Sequence, residues 1–342
     1  MPGPRSHGGW RRHIRIARNG ANDAYGALPG ALDWKGLPLI DNGMSVKATA
    51  ARYTPVTNYG GDFRRHVAVH HTQIVEGDIT TLLWPELTQY LFDMALLRVA
   101  DGASPNNQDV YGHVIDHYTP DDPRRYYGAA VNTLSLACSG TGDNDAQLTL
   151  SMVAQREVEN DALAETDPDY SDLTMVPFMA GHAELVIDGV THIDVEQWTL
   201  TVENNIGDAP FMWSADAAMA VRAHAIANLR EVTLDLTSLN NDDRYNRSIR
   251  DGSTVSFQAT FTHPDGHIFQ IILPSLYAEE SPEDGTPDKQ AVEAPKMIAQ
   301  AAAAGTYEGE DIVYAVDLGP TTTTLAPITT TTEAATTTTA GE

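Results

Sequence analysis

The sequence predicts a mainly β fold: an antiparallel β-sandwich or half-barrel over residues 56–317, with one flanking α-helix near residues 85–100. Three observations predict it. Apolar residues recur every second position in several short runs, the half-buried strand pattern. Turn-forming stretches such as Asp188-Gly189 and Pro264-Asp265-Gly266 separate those runs. A single segment carries the helical period instead, with Leu87, Leu91, Met94 and Leu97 behind Pro85.

In chain order, residues 1–55 read as an extended N-terminal arm and loop that starts basic, with Arg5, Arg11, Arg12, Arg15 and Arg18. Residues 19–61 are rich in Gly, Pro, Asn and Ala without a sustained period, so no core is expected from them. The helix follows, closed by Asp101-Gly102. Leu134, Leu136 and Cys138 then share one strand face, and Leu148, Leu150 and Met152 share another, which predicts a hairpin. A second hairpin turns through Asp188-Gly189, which supplies the positive φ angles of a tight turn. Its second strand changes parity between Val195 and Trp198, so a β-bulge is expected near Glu196-Gln197, leaving Asp194, Glu196 and Glu203 on the outer face. Strands are further expected at 232–236, 255–261, 268–273 and 312–316, while the Ala-rich stretch 215–227 has helical propensity. Residues 318–342 form a Thr-rich low-complexity tail with no apolar face to bury, read as a disordered extension or a sugar-bearing stalk.

The 342 residues carry a formal net charge of −26. Such a balance excludes a protein that grips nucleic acid through phosphate contacts, because those need Lys and Arg. No segment approaches membrane-spanning length, and the basic start is not followed by an apolar run, so neither a secretory signal nor a membrane partner is expected. Cys138 is the single cysteine and makes no internal disulfide; it reads as a core thiol.

Two histidine clusters invite a metal reading. His66, His70 and His71 alternate with Val67 and Val69 as on a strand, and His113, Asp116 and His117 lie in a Tyr-rich stretch; neither has further ligands at recognisable spacing. The acidic block from Glu157 to Asp172 lacks the pattern of a calcium loop and reads as a solvated segment. Phosphate-cradling loops, nucleophile elbows and dinucleotide fingerprints are absent. Neither a catalytic residue, a metal nor a cofactor is expected.

From Tyr127-Gly128 and the run Val131-Asn132-Thr133-Leu134-Ser135-Leu136, the chain resembles the tail tube proteins of long, non-contractile-tailed bacteriophages and related viruses. The likeness continues through Ala183-Glu184-Leu185-Val186-Ile187-Asp188-Gly189, Leu200-Thr201-Val202-Glu203-Asn204-Asn205, the strand at 232–236 and Ile271-Ile272-Leu273-Pro274. The resemblance implies a structural virion protein, not an enzyme. It would be assembled in the host cytoplasm into hexameric rings stacked as the tail tube. Its partners would be copies of itself, a tape measure protein, tail-end proteins and genomic DNA that passes without specific binding. Ring closure by head-to-tail contacts, with further contacts along the axis, is how one chain builds a tube. An acidic channel lets a duplex slide without trapping its phosphates, and Asp194, Glu196 and Glu203 are the lumen candidates. Arg11, Arg12 and Arg15, with the loop residues Thr57, Asn58, Tyr59, Asp62 and Phe63, are candidates for bridging subunits. Another virion subunit (capsid or tail terminator), a surface β-sandwich adhesin, and a metal-dependent enzyme built on the histidine clusters are the competing readings.

Overall fold

The computed structural model describes residues 13–18, 33–40, 43–53, 69–96, 112–119, 122–139, 146–159, 170, 173, 176–192, 195–207, 211–213, 220–222, 229–238, 249–280, 283–284, 292–303, 305–307 and 309–318. Antiparallel pairing dominates, and the sheet does not close into a barrel.

Three strands precede the helix region: β1 (His13–Arg18), β2 (Lys35–Leu37) and β3 (Lys47–Tyr53), followed by the long β4 (Val69–Leu82). Residues 19–61 therefore do supply core, contrary to the expectation from composition, since Leu37 and Val46 are buried. The reason is close approach. The carbonyl of Gly43 accepts from Thr80 N at 2.6 Å, and Ser45 N donates to the carbonyl of Asp78 at 2.8 Å, laying the chain along β4. A Cβ on Gly77, at φ +152, would stand 2.6 Å from Val46 N, so only glycine fits beneath that segment.

The helix α1 (Pro85–Ala95) begins with Pro at its first turn, and the turn ends at Leu96; residues 97–100 lie outside the described residues. Its apolar face buries Leu87, Leu91, Phe92 and Met94. After it come β5 (His113–Tyr118), β6 (Arg124–Ser139), β7 (Ala146–Ala154) and β8 (Arg156–Glu159). β6 and β7 form the expected hairpin, with Leu136 opposite Leu148. Part of the acidic block is β8 and not a solvated loop, because Glu157 accepts Ala48 N–H at 2.9 Å and ion-pairs with Arg124.

A 3-10 turn at Ala180–His182 leads into β9 (Ala183–Ile187) and β10 (Val190–His192), joined by Asp188 and Gly189 at φ 49 and 76. The next strand, β11 (Val195–Glu203), pairs with other strands than β10 does, and residues 193–194 between the two lie outside the described residues. β12 (Phe211–Trp213) and β13 (Ala220–Arg222) place part of the Ala-rich stretch in a strand pair, where tertiary pairing overrides helical propensity. The chain closes with β14 (Glu231–Ser238), β15 (Val255–Thr262), β16 (Ile268–Glu280), the two-residue β17 (Glu283–Asp284) and β18 (Val292–Glu293), β19 (Lys296–Ala299) and β20 (Val313–Asp317).

Pairing runs β3-β4-β7-β6-β11-β14-β19-β16-β15-β9-β10, with β20 also on β16. β16 turns the sheet back on itself: its residues from Leu276 pair with β19, and its first residues pair with β15 and β20. The two halves thus face each other over one core. Trp198 of β11 meets Phe257 of β15 with centroids 5.6 Å apart, and Phe92 of α1 meets Phe269 of β16 at 5.0 Å. Such ring pairs add about 0.5–1.5 kcal/mol each beyond burial. A buried polar pair joins the elements as well: Tyr314 donates to Asp93, fastening β20 to the helix.

Candidate assembly and lumen surface

Strict alternation along β6, β7, β11 and β14 sends Leu134, Leu136, Leu148, Leu150, Leu200, Val202, Val232 and Leu234 into the core. The intervening residues must then share the opposite face. Register aligns them into rows. One row runs Thr80, Thr149, Ser135, Thr201 and Thr233 across five strands. A second runs Asp78, Ser151, Thr133, Glu203 and Glu231. Hydroxyls within these rows satisfy one another: Ser151 Oγ donates to Asp78 Oδ1 at 2.5 Å, and Thr80 Oγ1 lies 3.5 Å from Thr149 Oγ1.

The face is thus short, polar and acidic at one side. Glu203 stands directly opposite Glu231, both exposed. Like charges in register cost stability, so this pair is not there to hold the sheet together.

The expected bulge is present: pairing with β14 jumps between Val195 and Gln197. Glu196 is the extra residue, and the bulge turns it to a cleft of about 350 Å³ at the open side of the fold. Cys138, Leu185 and Trp198 line the cleft with Glu184, His192 and Glu196. Asp194 lies outside the described residues. Burial pushes the Cys138 thiol well above its ordinary pKa, as expected of a core thiol and not of a nucleophile.

Arg11, Arg12, Thr57, Asn58, Tyr59, Asp62 and Phe63 also lie outside the described residues, as does His66. Arg15 sits in β1 and is committed within its own chain. Register places Arg15, Asp116 and Arg125 side by side on β1, β5 and β6. Arg15 Nε donates to Asp116 Oδ2 at 2.9 Å, and Arg125 donates to both carboxylate oxygens at 2.5 and 2.8 Å. Asp116 is fully buried. Trp34 covers both guanidiniums, 4.4 Å from Arg15 and 5.5 Å from Arg125. The hydrogen bond to Asp116 holds the Arg125 pKa above its usual value, ahead of the opposing effect of burial. Neither arginine pairing nor this register was readable from spacing, since the partners lie 101 residues apart in one case.

His113 is buried with Nδ1 3.3 Å from the carbonyl of Ala129, and β4 contains His70 and His71. Among the described residues no group of three His, Cys, Asp or Glu is arranged to hold a metal, and no helix is long and apolar enough to cross a membrane.

A loop sequence reasoning passed over is fixed at the end of β11. Asn204 Nδ2 donates to the carbonyls of Ala95 at 2.7 Å and Val131 at 2.9 Å, and Asn132 Oδ1 accepts from Ile206 N at 2.7 Å. A second bulge, between Val131 and Thr133, lies beside Asn132.

Among known proteins, the family model described as phage tail tube protein matches residues 59–306. A comparison with curated proteins returns no match. The matched span includes every strand from β4 to β19.

Proposed function

The chain belongs to the phage tail tube protein family, and on that premise we propose that it closes into hexameric rings which stack into a tube whose acidic channel passes the viral genome. Membership makes it a structural component of the virion tail that assembles with itself, and not an enzyme. The observation that carries the channel reading is the polar face of β7, β6, β11 and β14. It presents hydroxyls and the carboxylates Glu203 and Glu231 over an otherwise apolar core.

Physics favours such a face for a lumen. A duplex binds where Lys and Arg neutralise its phosphates and release the condensed counterions to solution, with affinity rising steeply per phosphate neutralised. A hydroxyl-and-carboxylate wall leaves those counterions in place, so DNA slides. Glu203 is the lumen residue this reading rests on, with Asp194 as a further candidate, while Glu196 lines the cleft beside Trp198. Arg11, Arg12 and the loop at 57–63 are the proposed bridges to the next subunit. A tape measure protein filling the lumen before the genome, tail-end proteins and host cytoplasmic assembly complete the proposal.

Negative-stain electron microscopy of the purified chain tests the assembly. Hollow rings or tubes with sixfold end views are expected; closed shells, or monomer across all salt conditions, overturn it. For the channel, Glu203→Lys with Glu231→Lys is expected to leave tubes intact and slow genome delivery. Delivery at the wild-type rate would reject the acidic lumen.

A further inference from the structure

We propose that the cleft lined by Glu184, Glu196 and Trp198 is the receptor for the basic segment 1–12 of a neighbouring copy, with Trp10 inserted and Arg11 and Arg12 on the two carboxylates. The inference rests on the self-assembly read above and names the contact.

Four observations carry it. First, the cleft is a built feature: the bulge at Glu196 and the end of the β9–β10 hairpin shape it, and about 350 Å³ is room for an indole among Cys138, Leu185 and Trp198. Second, its charge is one-signed. Among the described residues Glu184 and Glu196 line it with His192, and no Lys or Arg does. Third, the sequence concentrates the opposite charge in one place, where Arg5, Arg11 and Arg12 surround Trp10 in a chain whose formal net charge is −26. Guanidinium and carboxylate form the stronger, two-pronged hydrogen bonds, and an aromatic anchor in a pocket flanked by such pairs is the arrangement that dominates binding energy.

Fourth, the segment is held at its root. Ile14 and Ile16 are buried, and Arg15 is tied to Asp116, so the chain is anchored from His13 onward. Trp10 stands three residues before His13, so it lies within about 11 Å of the start of β1 even when the chain is extended. The contact is therefore one between adjacent subunits at close range. Arg15, already paired, plays no part in it.

Full-length protein tests the contact by charge exchange. Arg11→Glu with Arg12→Glu is expected to raise the concentration needed for tube formation about tenfold, and adding Glu184→Arg with Glu196→Arg to restore it. An unchanged threshold in the first variant, or no restoration in the second, overturns the inference. A synthetic peptide of residues 1–12, added in excess to wild-type chain, is expected to shorten tubes, whereas the peptide with Glu for Arg5, Arg11 and Arg12 is not; equal effects overturn it. If wild-type chain makes no tubes at all, the tube reading fails. The contact is then read separately by fluorescence polarisation of the labelled peptide. Binding about tenfold weaker to the Glu184→Arg, Glu196→Arg variant sustains the contact, and equal binding sinks it.

Discussion

The two halves of β6 differ in what holds them. Its first half, from Arg124 to Tyr127, lies in a small sheet with β1, β5 and β8, where Arg125 shares a fully buried carboxylate with Arg15. Its second half, from Thr133 to Ser139, alternates buried Leu134, Leu136 and Cys138 with Thr133, Ser135 and Ala137 on the polar face. The first half adds a buried carboxylate bound by two arginines to its apolar packing around Tyr126 and Ile115, while the second is held by apolar packing alone. The difference teaches why the polar face can be left acidic. Stability on that half comes from beneath, so the upper surface need not be apolar.

The largest expected effect is at the charged half. Asp116→Ala leaves two guanidiniums buried without their carboxylate and is expected to cost about 3–5 kcal/mol, read as a lowered midpoint in urea denaturation. A change under about 1 kcal/mol would mean that water reaches the site and the contrast between halves is false. Leu136→Ala, at a fully buried position of the other half, is expected to cost about 2–5 kcal/mol through lost burial and a residual cavity. Thermal melts of the two variants side by side show whether both halves unfold as one unit. Trp34→Ala uncovers both guanidiniums without removing the ion pair, with an expected loss of about 1–2 kcal/mol by the same denaturation assay.

Smaller effects separate the faces of the second half. Burial pushes the Cys138 thiol up from its ordinary 9.0, so the folded chain keeps it protonated where the unfolded chain loses the proton. Stability is then unaffected below about pH 9 and falls as pH rises beyond it. Cys138→Ala is expected to flatten that alkaline slope, measured as denaturation midpoints from pH 8 to 10; an unaltered slope assigns it to other groups. The smallest change is expected at Glu203→Gln. It relieves the repulsion with Glu231 and should alter stability by less than about 0.5 kcal/mol, in the stabilising direction. A clear loss on calorimetry would mean that the carboxylate helps to hold the sheet.

The parts legible in advance share a physical basis. Leu136 and Leu148, Asp188-Gly189, and Leu87 to Met94 report themselves within a few residues, because period and turn chemistry are local properties. Even the bulge at Glu196 showed as a change of parity. What failed needed distant partners. Nothing local says that Val46 is buried, since that follows from the chain between Gly43 and Ser45 lying along β4 over Gly77. The change of neighbours between β10 and β11 was hidden because both are good strands. Of the proposed lumen residues, Glu203 was placed on the polar face by alternation alone, while Glu196 was sent to the cleft by the bulge, which alternation cannot resolve.

By itself, then, the sequence determined the β class, the helix, the two hairpins, an acidic molecule and the family, because alternation, turn residues, charge and motif order are written along the chain. Only the tertiary structure decided that Arg15 and Arg125 share Asp116, that β16 folds one half of the sheet over the other, and that a cleft opens beside Trp198. Those depend on register between separate segments, as far as a hundred residues apart for Arg15 and Asp116, and register is settled by which burial and pairing can be satisfied together.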